Sequence, residues 1–251
     1  MPINDGFLRE EEMICSLNNH YVSDLSNNMK NLLKHLFGAL DESQLVKCSK
    51  VDNSNKTDFV IEYDNRKRNV SMKSGRAETV HIEIVQNFIA YLKEKGISQR
   101  TLDTICLFQF GDGTTDGSNE SERMAADDIR YLLRDRIEEA NKELNKDINF
   151  IKDVVQRCVF KGANEDNIEA DCVYFGDSEY GIVATKHQFE RNIDRRRFDF
   201  YKYLHIGPLL LRPDARYVNK EIASERKRNR IVVYWPNLRA DIEYMAKRYN
   251  Y

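Results

Sequence analysis

Asp58 and Lys73 carry the most pointed chemistry in this chain, inside the segment K-T-D-F-V-I-E-Y-D-N-R-K-R-N-V-S-M-K-S-G that runs from Lys56 to Gly75. The segment reads as a β-hairpin with Asp64-Asn65 at its turn. Side chains alternate across a strand, so Asp58, Val60 and Glu62 face one way and Phe59 and Ile61 the other. On the return strand Asn69, Ser71 and Lys73 share a face, opposed by Val70 and Met72. With the apolar faces turned inward, Asp58, Ser71 and Lys73 gather on one polar side. A carboxylate and a lysine placed this way suit metal-assisted hydrolysis of a phosphodiester, in which a divalent cation neutralises the phosphate and lowers the pKa of the attacking water. Asp58 offers a hard oxygen ligand suited to magnesium, and the Met72 carbonyl is a further candidate ligand. Lys73 can orient or help deprotonate the water and stabilise charge in the transition state. The same two residues would also make an ordinary surface ion pair, so their neighbours decide between the two.

The elements that must hold this hairpin are legible around it. Residues 7 to about 39 form two helical pieces, with Phe7, Ile14, Leu17 and Tyr21 on one stripe and Leu25, Met29, Leu32, Leu33, Leu36 and Phe37 on another; Gly38 ends the second. Strands are expected at 45–50, 57–63 and 68–73, with a turn at Asp52 to Asn55. After Gly75 the period turns helical, with His81, Ile84, Val85, Phe88, Ile89 and Leu92 on one face and an end near Gly96. Ser98 caps another helix, a glycine-rich loop spans Gly111–Ser121, and helices follow over 121–144 and 147–160. Strands return at 172–175 and 181–185, a helix occupies 186–193, strands lie near 204–211 and 230–235, and a last helix runs from Leu238 to Tyr249. The simplest organisation is one α/β domain over 1–251, with 98–160 a mainly helical insertion and 195–251 a candidate DNA-contacting part.

Composition narrows the class. The chain has 251 residues, 41% hydrophobic and 32% charged, which describes a globular protein with a highly charged surface. No apolar stretch approaches the roughly 20 residues of a membrane span, and the start M-P-I-N-D-G lacks a secretory pattern. Five cysteines without a C-x-x-C pair favour reduced thiols in a cytoplasm over disulfides or zinc. The net charge of −2 leaves room for nucleic acid, because local basic patches suffice. Such patches occur at Arg66–Arg68, Arg195–Arg197 and Arg226–Arg230.

Taken together, the hairpin, the K-S-G that follows it and the helix expected from His81 and Glu83 resemble the PD-(D/E)xK nuclease superfamily, and within it the small type II restriction endonucleases. Most members carry an acid two residues before the lysine; here that position is Ser71. Some members have Ser-x-Lys and take the displaced acid from the next helix, which implies Glu83. The opening G-F-L-R-E-E-E-M-I is similar to the G-F-x-x-E start of small restriction endonucleases, whose first helix carries a glutamate into the metal site. That implies Glu10 or Glu11, both of which border the buried stripe. An acidic first turn complementing the helix dipole would equally account for these glutamates. The resemblance implies an α/β fold with a restriction-endonuclease-like core, a mixed β-sheet flanked by helices, plus the helical insertion and a C-terminal β-ribbon. It implies catalysis by Asp58, Ser71, Lys73 and Glu83, and metal held by Asp58, Glu83, Glu10, Glu11 and Met72. The cofactor would be magnesium, with manganese able to substitute, and the partner double-stranded DNA, with a homodimer as one form of assembly.

DNA contacts are expected from Arg76 and His81, beside a helix start able to hold phosphate. Others are expected from Arg212, Arg216, Arg226, Arg228 and Arg230 on a ribbon reaching a groove. The loop from Gly111 partly mimics a calcium loop, but its twelfth position is Arg123 where a bidentate glutamate belongs, which excludes calcium. The expected function is therefore magnesium-dependent cutting of DNA, as a type II restriction endonuclease. The alternatives are a nuclease of the same fold acting on DNA structure in repair, recombination or phage defence, and a catalytically inactive member that only binds nucleic acid.

Overall fold

The computed structural model describes residues 5–51, 56–75, 78–119, 123–198, 200, 202–214 and 227–249. Where one domain was expected, two compact units are found. Met1–Glu78, Gln156–Asp194 and Asn237–Tyr251 make the first, and Thr79–Val155 with Arg195–Pro236 the second. The architecture is α/β.

The first unit is built on a six-stranded mixed sheet. Its strands are β1 (His20–Tyr21), β2 (Leu45–Lys50), β3 (Phe59–Tyr63), β4 (Arg66–Lys73), β6 (Cys172–Gly176) and β7 (Gly181–Thr185), in that spatial order. All neighbours are antiparallel except β4 and β6, which run parallel. The β3–β4 hairpin closes through Asp64 and Asn65, both at positive φ, a conformation these two residue types tolerate better than most. Helix α1 (Asp5–Leu17) contributes Met13 and Leu17 to a core shared with Phe59, Ile61, Val70, Met72 and Tyr174. Helix α2 (Asn27–Phe37) adds Met29, Leu32, Leu33, Leu36 and Phe37. Each large apolar side chain buried this way contributes about 1.5–3 kcal/mol. Ser26 caps α2 by accepting the Met29 N–H, and Gly38 ends it at φ +85°.

The basic patch at Arg66–Arg68 has an internal role. Arg66 Nη1 donates to the Phe37 carbonyl at 3.0 Å and Arg68 Nε to the Leu36 carbonyl at 3.4 Å, closing the exposed carbonyl end of α2. Lys67 pairs with Glu62 across the hairpin at 2.7 Å.

In the second unit β5 (Thr79–Ile84), β10 (Arg230–Tyr234), β9 (Leu209–Pro213) and β8 (His205–Ile206) form an antiparallel sheet in that order. Its helices are α3 (Val85–Glu94), α4 (Gln99–Phe110), α5 (Ala126–Leu132), α6 (Arg134–Leu144) and α7 (Ile148–Val155). The expected helicity of 98–160 holds, and a π-helical turn at Gln156–Lys161 continues α7. Helix α8 (Lys186–Arg195) follows β7, and α9 (Leu238–Arg248) packs on β7 in the first unit.

Two expectations fail here for physical reasons. The helix expected from His81 starts only at Val85, because T-V-H-I-E-I, rich in β-branched residues, forms β5. The strand also turns its faces against the usual rule: His81 and Glu83 are buried, while Ile82 and Ile84 are 46% and 50% exposed. The C-terminal strands, in turn, do not project as a ribbon. β10 is hydrogen-bonded on both edges, to β5 and β9, so it is an interior strand.

Candidate active site

The β3–β4 register fixes the site. Phe59 lies opposite Val70, and the Asp58 N–H donates to the Val70 carbonyl at 2.9 Å, extending the pairing by one residue. Asp58 thus reaches the end of the hairpin where β4 delivers Ser71, Met72 and Lys73. Its Oδ2 accepts the Met72 N–H at 2.5 Å. Behind it, Thr57 is buried and donates its hydroxyl to the Ile168 carbonyl at 3.0 Å, which anchors the strand entry.

Electrostatics show which charged groups converge. Burial pushes the Asp58 carboxyl above its ordinary value, against the opposing pull of Lys73, the Met72 N–H, Lys56 and Ser71. Glu10, on α1, is also raised, by burial first and by the Asp58 charge next, with Lys50 and Lys73 pulling the other way. Lys50 Nζ stands 3.8 Å from Glu10 and 3.4 Å from the centre of the Phe7 ring, tying α1 to β2. Gly75, at φ +65°, follows Lys73 so closely beneath α1 that a Cβ there would stand 4.0 Å from Arg9. Glu10, Asp58 and Lys73 therefore lie within electrostatic reach of one another, with Ser71 and Met72 beside Asp58, whereas Glu11 is exposed.

The Ser71 hydroxyl is fully buried and has no hydrogen-bond partner among the described residues, though its nearness still favours the Asp58 charge. Two partly buried carboxylates that repel each other form a donor set that suits a hard divalent cation. Among the described residues no three His, Cys, Asp or Glu side chains lie close enough to hold a metal together. A cation here would take Asp58 and Glu10 and complete its shell with main-chain oxygen and water.

Other expected site residues lie elsewhere. Glu83 sits on β5, not on a helix, and its Oε1 is 3.0 Å from His81 Nε2, both side chains 5% exposed. His81 is thus spent inside the second unit as a pairing residue of the sheet, not as the start of a helix. Arg228 donates to the Asp112 carboxylate at 3.3 Å and to the Gly117 and Asn119 carbonyls at 3.0 Å each, pinning the glycine-rich loop. Asp112 also accepts from the Thr114 N–H and hydroxyl, so the loop that mimics a calcium site is closed internally. Arg230 forms a two-pronged pair with Asp214. Arg212 is exposed and lies over the Tyr234 ring at 4.7 Å. Arg76, Arg216 and Arg226, and the turn at Asp52–Asn55, fall outside the described residues.

Sequence reasoning missed Lys50. Its signal was available only through register: β2 pairs Lys50 with Phe59, next to Asp58. No helix among the described residues is long and apolar enough to cross a membrane. Comparison with protein-family models, curated proteins and solved structures finds no match for this chain.

Proposed function

We propose that this chain is a magnesium-dependent deoxyribonuclease with a restriction-endonuclease-like core, working as a site-specific type II enzyme with Asp58, Glu10 and Lys73 at its centre. The observation that carries the reading is the meeting of two carboxylates, both held above their ordinary pKa by burial, beside a lysine at the end of a hairpin. Such an arrangement costs stability, and perturbed titratable groups clustered this way are a mark of functional sites. The antiparallel β2–β3–β4 meander with β6 parallel to β4 agrees with the mixed sheet that the resemblance implies.

When bound, a divalent cation neutralises the phosphate and acidifies a water. Asp58 is the better fixed ligand, because the Met72 N–H locks one of its oxygens. Glu10 takes the part that the resemblance gives to an acid at position 71. Lys73 orients the attacking water and stabilises charge on the phosphoryl oxygens. Lys50 holds Glu10 in place until a cation competes for it.

The test is incubation of the purified protein with mixed-sequence plasmid DNA and magnesium. Discrete fragments are expected from wild type, with a loss of at least about 100-fold for Asp58→Ala and for Lys73→Ala. Unchanged cutting by both variants would sink the proposal. A second reading, a member that binds nucleic acid without cutting, draws on the two-carboxylate limit of the site. Intact plasmid under every divalent cation, with DNA still bound, would favour it. Cutting of branched or single-stranded DNA alone would move the chain to the structure-specific nucleases.

A further inference from the structure

Helix α5 ends at Tyr131-Leu132 and α6 begins at Arg134, with Leu133 alone between them. Leu133 turns inward, but Tyr131 is 85% and Leu132 62% exposed. Beside this exposed ring lies a cavity of about 350 Å³ lined by Arg130, Tyr131, Arg134, Ile137, Glu138 and Lys202. Buried Ile137 gives it an apolar wall. Its single carboxylate, Glu138, already binds Lys142 at 2.8 Å. Arg130 is engaged too, by Asp127 and by the Tyr203 ring at 4.7 Å. Arg134 and Lys202 are exposed and close no ion pair among the described residues, although Glu138, held below its ordinary value first by Lys142, also feels the Arg134 charge. Close by, Arg212 lies over both Tyr203 and Tyr234 at 5.9 and 4.7 Å, continuing the alternation of cation and ring.

Two exposed cations, an apolar wall and an exposed aromatic ring around one concavity match the two halves of a nucleotide. Phosphate oxygens take the cations, and a base takes the ring. A tyrosine can stack only on a base whose face is open, which a base inside a continuous duplex does not present. An acidic peptide would use the cations but leave Tyr131 and the Ile137 wall without a planar partner. We propose that this cavity holds one unpaired nucleotide of DNA, with its base on Tyr131 and its phosphates on Arg134 and Lys202. The inference rests on the nuclease reading in taking DNA as the ligand, and within that reading it favours the structure-specific alternative, because the cavity takes a base outside a continuous duplex.

Fluorescence anisotropy tests it on the full chain in EDTA, where no cutting can intervene. The probe is one labelled oligonucleotide, used as a single strand and annealed to its complement. Wild type should bind the single strand more tightly. Tyr131→Ala should weaken that binding about tenfold, while Tyr131→Phe, which keeps the ring, should bind as wild type. Arg134→Ala combined with Lys202→Ala should flatten the log–log salt dependence by about 1.4, two single-strand phosphate contacts' worth. All these positions are exposed, so the fold is spared. Tighter binding to duplex, or Tyr131→Ala binding as wild type, would overturn the inference. Tight single-strand binding by a protein that leaves plasmid intact with magnesium would remove the nuclease reading and leave this one standing.

Discussion

At Asp58 the carboxylate accepts a main-chain N–H and feels the charge of Lys73, yet burial still makes it hold its proton more tightly than in water. Glu10 behaves the same way for the same first cause. A carboxyl raised in the folded state favours folding fully below its unfolded pKa, and that contribution is lost as pH climbs through the raised value. From the ordinary values of 3.8 and 4.5 upward, both groups therefore weigh against the native state. Glu10→Gln should thus raise Tm by a few degrees at neutral pH, at about 2–4 °C per kcal/mol, and by nothing near pH 4. Thermal denaturation at the two pH values checks this; a lower Tm at neutral pH would contradict it. Cysteine chemistry makes a second expectation at this scale. Burial pushes the Cys48 and Cys106 thiols up to about 12 and about 11, and the Cys172 thiol higher still, while Cys15 is the exposed one of the five. A disulfide reagent at neutral pH should release one equivalent from the native chain, and five after denaturation.

Among the elements, the hairpin shows how much of the site could be read from residue order alone. Alternation placed Asp58, Ser71 and Lys73 correctly, because a two-residue turn leaves the register little freedom. The G-F-x-x-E opening left Glu10 and Glu11 open, because both border the buried stripe of the helix; the fold sets Glu10 within reach of the Asp58 charge and leaves Glu11 exposed. Strand β5 marks the opposite case. T-V-H-I-E-I shows the apolar residues at alternate positions but cannot say which face meets the core. Here the paired His81 and Glu83 satisfy each other inside, leaving two isoleucines outside. Two of the C-terminal arginines have anionic partners that residue order does not reveal: Arg230 meets Asp214 at the end of β9 when β9 and β10 pair, and Arg228 meets Asp112 on the loop that follows α4. Between β6 and β7, Gly181 leaves room for Tyr174, whose hydroxyl accepts from Asn28 Nδ2 at 2.9 Å and donates to the Asp177 carbonyl at 2.6 Å. A Cβ at Gly181 would fall on the tyrosine ring. Gly181→Ala should cost about 1–3 kcal/mol in chemical denaturation, and an unchanged midpoint would show that the Tyr174 network yields freely.

Over the whole molecule, a cation that binds the two carboxylates would reverse the deficit they create. Magnesium at about 100 times its dissociation constant should raise Tm by roughly 5–10 °C at neutral pH. The increment should shrink as pH falls and the two groups take up protons. A pH-independent increment, or none, would place any bound magnesium elsewhere. The same scale exposes the path of the chain. It leaves the first unit after Glu78, returns at Gln156, leaves again after Asp194 and returns at Asn237. Neither unit is a continuous stretch, so a ribosome cannot finish one before starting the other. Strands β3 and β4, which carry Asp58 and Lys73, emerge early, yet their neighbour β6 follows only about a hundred residues later, and the α9 cover of β7 later still. During synthesis the unpaired edge of β4 would stand open to other chains, a known route to aggregation. A chain halted after Pro236 should remain protease-sensitive throughout the first unit, Asp58 included, making the candidate site among the last parts of the protein to mature.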